Sequence, residues 1–390
     1  MLNFMELTPE KGIIIAFGEL FLKSEGVQNI FKKILAQNIA FFLGKEKVNF
    51  KIQNFRQRIF VQTGQTAKAL KVLKNISGIS WLAECLFFPK ADLKQISQFI
   101  SANYKDWIKK DDTFAIRLKL DKGVIKEGRD RAIIELAENI DRKVNLSRPS
   151  REIFVEIRSF GCLIYFRKIK GASGHPAGSE GKVLALMSGG IDSPVAAFLI
   201  ARRGAENVWL HFHSFPLVSN KSIEKIRETA KVFLKYQRKI KVYFVPFSPL
   251  QMEIKTKAPE KERILLYRRL MFKIAEIIAE KENCYALVTG ESLGQVSSQT
   301  LPNLAIIEDA VKIPALRPLI AQDKEEIIRT AEKIGTFDIS IKPQEDCCTL
   351  FTPKHPTAHG DLKKIKDSEK KLNLKKLIQK TVKQAKVEYF

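Results

Sequence analysis

Ser188-Gly189-Gly190-Ile191-Asp192-Ser193 lies between an apolar run, Val183–Met187, and a segment of helical spacing that begins near Pro194. Two consecutive glycines remove side chains where a backbone must turn tightly and approach a ligand. A helix starting just after such a turn aims unpaired N–H groups and the positive end of its dipole at the same point. Ser188 and Ser193 add hydroxyl donors. Ser188, Gly189, Gly190 and Ser193 therefore form a candidate cradle for a pyrophosphate-sized anion. Asp192 would repel phosphate directly, so a bridging Mg2+ is its natural partner, and it is the candidate metal ligand. The motif is not a Walker P-loop, which needs GxxxxGK[ST], because Lys182 is followed by Val183.

Two thiols stand far downstream, Cys347 and Cys348, just after Glu345 and Asp346. Those acids raise a thiol pKa, while Lys342, Lys354 and His355 oppose them. A reactive pair and a buried inert pair both fit the residues. A Cys347–Cys348 bridge would be strained. The five cysteines include no CxxC, which disfavours zinc or an iron–sulfur cluster. They form no disulfide framework, so the expected compartment is the reducing cytoplasm. Lys324 follows an N-cap aspartate, an unfavourable place for a cation unless an anion faces it.

The elements that must position these groups are legible. From about residue 173 strands alternate with helices: strands at 183–187, 208–212, 242–245 and 285–289, and helices at 194–203, 222–236, 261–280 and 323–334. Asp323 is the expected N-cap of the last helix, with Glu326 completing a capping box and Gly335 ending it. Such alternation predicts a parallel sheet covered on both faces, with its ligand at the carboxyl ends of the strands. Gly171–Gly181 is glycine-rich and marks a boundary. Before it, residues 1–75 read as β-α-β-β-α. Residues 76–172 hold a strand at 81–88, helices at 92–109 and 129–143, an alternating strand at 114–120, and a hairpin at 153–168. The expectation is three domains: 1–75, 76–172 and 173–390.

The chain of 390 residues carries a formal net charge of +24, spread over both halves. Lys231–Lys241 is basic without an acid, and residues 361–390 are lysine-rich. A long polyanion is the first expected partner, and a solubilising lysine surface is the plain alternative. No apolar run of about 18 residues suggests a membrane span, and Met1–Glu10 shows no secretory signal.

SGGIDS resembles the signature of PP-loop pyrophosphatases, which cleave ATP to AMP and pyrophosphate. Four further stretches narrow the resemblance: Lys168–Ala172, the run Thr289-Gly290-Glu291-Ser292-Leu293-Gly294-Gln295-Val296-Ser297-Ser298-Gln299-Thr300, Arg317-Pro318-Leu319, and Asp346–Pro353. Over about 165–355 the chain is similar to tRNA 4-thiouridine synthases (tRNA uridine 4-sulfurtransferases). That resemblance implies an α/β PP-loop domain, Rossmann-like, preceded by two smaller α+β domains, ferredoxin-like and THUMP. It implies ATP and Mg2+, a tRNA substrate modified at uridine 8, and adenylation of the uridine before sulfur attack. By the same resemblance Leu186, Met187, His211, Phe212, Arg268, Gly290 and Gln299 hold ATP. Asp192 and Lys324 are needed for activity, and Cys347 assists sulfur transfer, with Cys348 as a substitute or resolving thiol. Leu186, Met187 and Phe212 suit an apolar adenine slot, and equally suit a core.

Two departures stand out. Longer members append a rhodanese domain that carries the persulfide cysteine and serves thiamin synthesis. About 35 residues follow Pro353, so the expectation is a short form fed by a cysteine desulfurase or by another sulfur donor. The Phe17–Leu20 segment fits the family, but the basic run that often follows is here Lys23-Ser24-Glu25-Gly26-Val27. A homodimer is common in the family. The alternatives are another PP-loop tRNA enzyme of the 2-thiouridylase type, and a tRNA-binding protein without activity.

Overall fold

The computed structural model describes residues 8–18, 23–344, 351, 357–372 and 374–390. The chain divides into two compact units, Met1–Pro176 and Ala177–Phe390.

The first unit is built on one sheet. Its strands are β1 (Glu10–Phe17), β2 (Lys51–Asn54), β3 (Ile59–Gln62), β4 (Ile79–Phe88), β5 (Thr113–Leu120), β6 (Lys143–Val144), β7 (Arg151–Arg158), β8 (Gly161–Tyr165) and β9 (Ile169–Lys170). They run in the order β2-β3-β1-β4-β8-β7-β5-β6, with β9 paired to β4. Helices α1 (Glu25–Lys45), α2 (Thr66–Leu73), α3 (Leu93–Trp107) and α4 (Arg129–Ala137) pack on it. Period-two alternation assigns the faces. Ile13 and Ile15 join a core with Leu35 and Leu73 of the helices, while Ile14 joins Phe60, Phe87 and Tyr165 on the other side. The segments expected as 1–75 and 76–172 are continuous in this sheet, because β4 pairs antiparallel with both β1 and β8. The helix expected over 129–143 stops at Ala137, and Lys143–Val144 instead joins β5 as a strand.

The second unit holds β10 (Lys182–Leu186), β11 (Glu206–His213), β12 (Lys241–Pro246), β13 (Leu287–Val288), β14 (Ala315–Leu316) and β15 (Lys386–Tyr389). Their order is β14-β13-β10-β11-β12-β15, all parallel except β15, which runs antiparallel to β12. The helices are α5 (Asp192–Arg202), α6 (Lys221–Phe233), α7 (Ser248–Lys257), α8 (Arg263–Lys281), α9 (Leu301–Glu308), α10 (Lys324–Ile334), α11 (Phe337–Ser340), α12 (Leu362–Lys370) and α13 (Leu374–Lys383). Two separate apolar clusters, one holding α8 and the other α5, α6 and α10, cover the sheet. The strand order reverses direction at β10, whose neighbours β11 and β13 lie on opposite sides. A ligand crevice is expected at the carboxyl end of such a strand, and SGGIDS occupies that end of β10.

Asp323 caps α10, accepting from the Glu326 N–H at 2.9 Å, and Gly335 ends it at φ +79°. The expected reciprocal box does not complete there; a complete one forms at Asp92 and Gln95. The lysine-rich tail folds back: Leu372, Leu374 and Ile378 are buried in the α8 cluster, and β15 closes the sheet edge. Arg269, buried on α8, anchors it through Glu369 at 3.0 Å and also meets Asp309, at the end of α9, at 3.1 Å.

Candidate active site

The loop after β10 closes on itself through its serines. The Ser188 N–H donates to Ser193 Oγ at 3.1 Å, and the Gly190 N–H donates to Ser188 Oγ at 3.2 Å. Gly189 takes φ +80°, a left-handed conformation that L side chains resist. A Cβ there would also lie 2.6 Å from Gln344 Oε1. Helix α5 then starts without a side-chain cap, unlike α3, α10 and α12, whose aspartates cap them. Its first N–H groups lack intrahelical acceptors, which is the arrangement that receives an anion.

Asp192 opens α5. Its Oδ1 meets Lys324 Nζ at 2.5 Å and its Oδ2 accepts from Gln295 Nε2 at 2.9 Å. The cation at the start of α10 thus has its anion. Gln295 lies in the Thr289–Thr300 run singled out in the sequence, but no role was assigned to it there. Asp192 is a single hard carboxylate, and among the described residues no group of three or more His, Cys, Asp or Glu could hold a metal by itself. One carboxylate plus substrate phosphates is the usual way Mg2+ is held, so Asp192 fits that role and no all-protein metal cage.

Gly290 follows β13. A Cβ on it would come within 2.7 Å of the Ser193 nitrogen and 2.8 Å of the Asp192 carbonyl carbon, so only glycine lets the two loops meet. The next residue, Glu291, is buried and accepts from Arg268, from Arg317 Nε at 2.7 Å and from Thr289 Oγ1 at 2.9 Å. Burial pushes its carboxyl up, but Arg268 and Arg317 outweigh that and hold it below the usual carboxylate range. Arg268 is therefore oriented by the carboxylate that follows Gly290. Gln299 Oε1 accepts from the Ser292 N–H at 3.2 Å and shapes the same loop.

His211 is fully enclosed. Its Nδ1–H donates to the Met187 carbonyl at 2.7 Å, and Nε2 accepts from Ser222 Oγ at 3.1 Å. Burial lowers its pKa to about 4, against the raising effect of the Met187 bond, so the ring is neutral and fixes the end of β10 to β11. Met187 and Phe212 are buried, and Leu186 is partly exposed. Phe212 packs edge-on to Phe247 with centroids 5.2 Å apart. Gln344 Nε2 donates to the Ser188 carbonyl at 3.2 Å. Cys347 and Cys348 lie outside the described residues. Thus Leu186, Met187, Ser188, Gly189, Gly190, Asp192, Ser193, His211, Phe212, Gly290, Gln299, Arg268 and Lys324 surround the carboxyl ends of β10, β11 and β13. Sequence reading passed over Glu291 as a carboxylate, Gln295 and Gln344.

Comparison with known proteins gives the family. A family model described as thiamine biosynthesis protein (ThiI) matches residues 178–374, and one for the ThiI ferredoxin-like domain matches residues 12–83. A "Probable tRNA sulfurtransferase" of Acetivibrio thermocellus is 37% identical over 390 residues, covering 97% of this chain and 98% of its own length. Another of the same name from Moorella thermoacetica is 46% identical over 243 residues, 62% of each chain. A solved 4-thiouridine synthetase–RNA complex with bound ATP matches with TM-score 0.87 and 31% identity, over 97% of this chain and 99% of that one. The chain belongs to the ThiI family of tRNA sulfurtransferases and is an enzyme of that family.

Proposed function

We propose that this enzyme uses ATP to exchange the O4 oxygen of a tRNA uridine for sulfur, giving 4-thiouridine, with uridine 8 as the target. The reading rests above all on the likeness, over 97% of the chain, to a 4-thiouridine synthetase solved with RNA and ATP. The site's geometry agrees: an uncapped helix start, a left-handed glycine and the Lys324–Asp192 pair converge at the end of β10.

In the first half-reaction the uridine O4 attacks the α-phosphorus of ATP. The O4–P bond forms, the bond from that phosphorus to the bridging oxygen breaks, and pyrophosphate departs. The N3 proton of the uridine is lost. The SGGIDS cradle and Lys324 stabilise the pyrophosphate charge, Arg268 faces the phosphates, and Leu186, Met187 and Phe212 flank the adenine. A magnesium ion held by Asp192 and the phosphates would neutralise further charge there. In the second half-reaction a persulfide, R–S–SH, attacks C4. The C4–S bond forms, and the C4–O4 bond breaks as AMP leaves with O4. The Cys347 thiolate then attacks the R–S sulfur of the adduct, giving an R–S–S–Cys347 disulfide and releasing 4-thiouridine. A cellular dithiol reductant restores both thiols. Sulfide as the donor would bypass the disulfide. The likeness extends over the first unit as well, and the chain's positive charge suits tRNA phosphates.

Unmodified tRNA incubated with the enzyme, Mg-ATP and sulfide should yield 4-thiouridine by nucleoside mass spectrometry, and only when ATP is present. Asp192→Ala should lower the rate on the order of 10²–10³-fold, the loss typical of one transition-state electrostatic contact. An unmodified product with sulfide and also with a persulfide-loaded cysteine desulfurase would refute the reading.

A further inference from the structure

Residues 361–383, which hold α12 and α13, carry nine lysines against three acids. The acids are used locally. Asp361 caps α12 by accepting from the Lys363 and Lys364 N–H groups, Asp367 meets Lys370 at 3.1 Å, and Glu369 turns to Arg269 and to Lys273 at 2.9 Å. All nine lysines are exposed. Among the described residues, only Lys366, through Asp309 at 2.9 Å, and Lys370 have ion-pair partners. The other side of α13 is taken up by packing, where Leu374, Ile378 and Thr381 are buried. Lys375, Lys376, Lys380 and Lys383 are thereby displayed on a fixed helix. Two clefts flank that helix. One, of about 490 Å³, lies between α13, α12 and α8 and is lined by Lys273, Lys366, Lys370 and Lys375. The other, of about 300 Å³, lies against α7 and is lined by Lys257, Lys376 and Lys380, with one acid, Glu253. A surface that serves solubility mixes both signs and needs no concavity. The placement also bears on the site. Strand β15 starts opposite Phe244, near the carboxyl end of β12, so α13 ends on the edge of the unit where the cradle lies.

We propose that the lysines of α13 and of its two flanking clefts form a docking surface for the phosphate backbone of the tRNA. A polyanion is the partner of complementary charge, and resting on the function given above, the polyanion that must reach this edge of the unit is the tRNA substrate. Contacts of lysine with phosphate position a nucleic acid and carry no base code. The surface therefore adds affinity and orientation on the second unit, and leaves the choice of uridine to the site.

The test titrates unmodified tRNA against the whole chain over a range of salt. One variant combines Lys375→Gln, Lys376→Gln, Lys380→Gln and Lys383→Gln. A control combines Lys281→Gln, Lys312→Gln, Arg329→Gln and Lys333→Gln, all exposed elsewhere on the same unit. For the α13 variant, tRNA affinity should fall about tenfold or more, and the slope of log affinity against log salt should flatten by about one for each lysine that met a phosphate. Its KM for tRNA should rise, while kcat at saturating tRNA and the affinity for ATP stay within about twofold of wild type. The control should keep the wild-type slope. If the quadruple variant melts early, the 375/376 and 380/383 pairs are neutralised separately, and each should flatten the slope in part. Equal losses in variant and control would show a diffuse charge effect, and an unchanged slope in the α13 variant would show that no phosphate is met there. Either result overturns the proposal. So does intact tRNA binding with lost binding of a cysteine desulfurase, which would give the face to a protein. A wild-type enzyme that binds no tRNA at any salt would sink the functional reading itself. With wild type binding tRNA, the difference between variant and control judges α13 alone.

Discussion

Two buried glutamates, one in each unit, are each gripped by two arginines, yet they stand in different relations to the chemistry. Glu156 on β7 takes Arg58 at 3.0 Å, Arg158 at 2.8 Å and the Tyr165 hydroxyl at 3.0 Å. Arg158 also reaches Asp121, and the Arg58 guanidinium lies 5.1 Å from the centre of the Trp81 ring. That network is spent within the sheet. Glu291 takes Arg268, Arg317 and Thr289, but it sits one residue past Gly290, where the loop after β13 touches the start of α5. In both, burial raises the carboxyl pKa and the paired arginines outweigh it, leaving each below the ordinary range. The same ion-pair chemistry thus ties strands of one sheet together in one place and, in the other, holds an arginine beside the loop that meets the start of α5. What separates them is position relative to the carboxyl ends of parallel strands.

The sharpest way to break that comparison is Glu291→Gln. Removing one partner of a buried pair leaves uncompensated charge and costs about 3–5 kcal/mol. Thermal unfolding should show that loss, and the KM for ATP should rise because Arg268 is no longer oriented. If only the melting temperature moves, the two clusters are alike and Arg268 has no nucleotide role. Glu156→Gln should cost about as much stability by the same mechanism, with kinetics at a temperature below melting unchanged.

Acid titration then sharpens the pairing. A carboxyl whose folded pKa is depressed contributes stability above its unfolded value, near 4.5 here, and loses it as pH falls through the folded value. The gap in stability between wild type and either glutamine variant should therefore be full at neutral pH and narrow progressively below about pH 4.5. A gap constant down to pH 2 would refute the charge account. The smallest effect concerns a buried polar group beside the site, His211. The His211 pKa falls from 6.5 to about 4 on folding, so below pH 6.5 the unfolded chain takes up a proton that the folded one refuses. His211→Asn should flatten the decline of stability between pH 6.5 and 4 in urea titrations, and an unaltered slope would show that the histidine is protonated when folded.

Much of this was legible beforehand. Val183–Met187 followed by SGGIDS gave strand, turn and helix in the right places, and Asp323 and Gly335 bounded α10 within a residue. Strong periodicity and cap chemistry are local, so they survive without tertiary knowledge. The short pieces were not legible. Helices α7 and α9 and strands β14 and β15 are ten, eight, two and four residues long, and packing rather than propensity selects them. Strand β4 was expected at 81–88, but its pairing on both sides, with β1 and with β8, was not legible, because pairing partners are not written in a strand's own residues. Adjacent arginines illustrate the limit at the site. Arg268 and Arg269 are interchangeable in sequence, but one helical step turns the first to Glu291 and buries the second against Glu369.

The sequence by itself determined the chemistry on offer: an anion cradle, one hard carboxylate, a lysine in need of an anion, and two thiols. It also determined the parallel α/β unit that carries the cradle, because strand–helix alternation and turn glycines are written in neighbouring residues. The tertiary structure alone decided which groups meet. Asp192 finds Gln295 and Lys324 across separations of 103 and 132 residues, and Lys225 finds Ser340 across 115. Such partners are chosen by where the sheet brings strand ends together and by the need of every buried charge for a counter-charge or a hydrogen bond, conditions that no local stretch of sequence expresses.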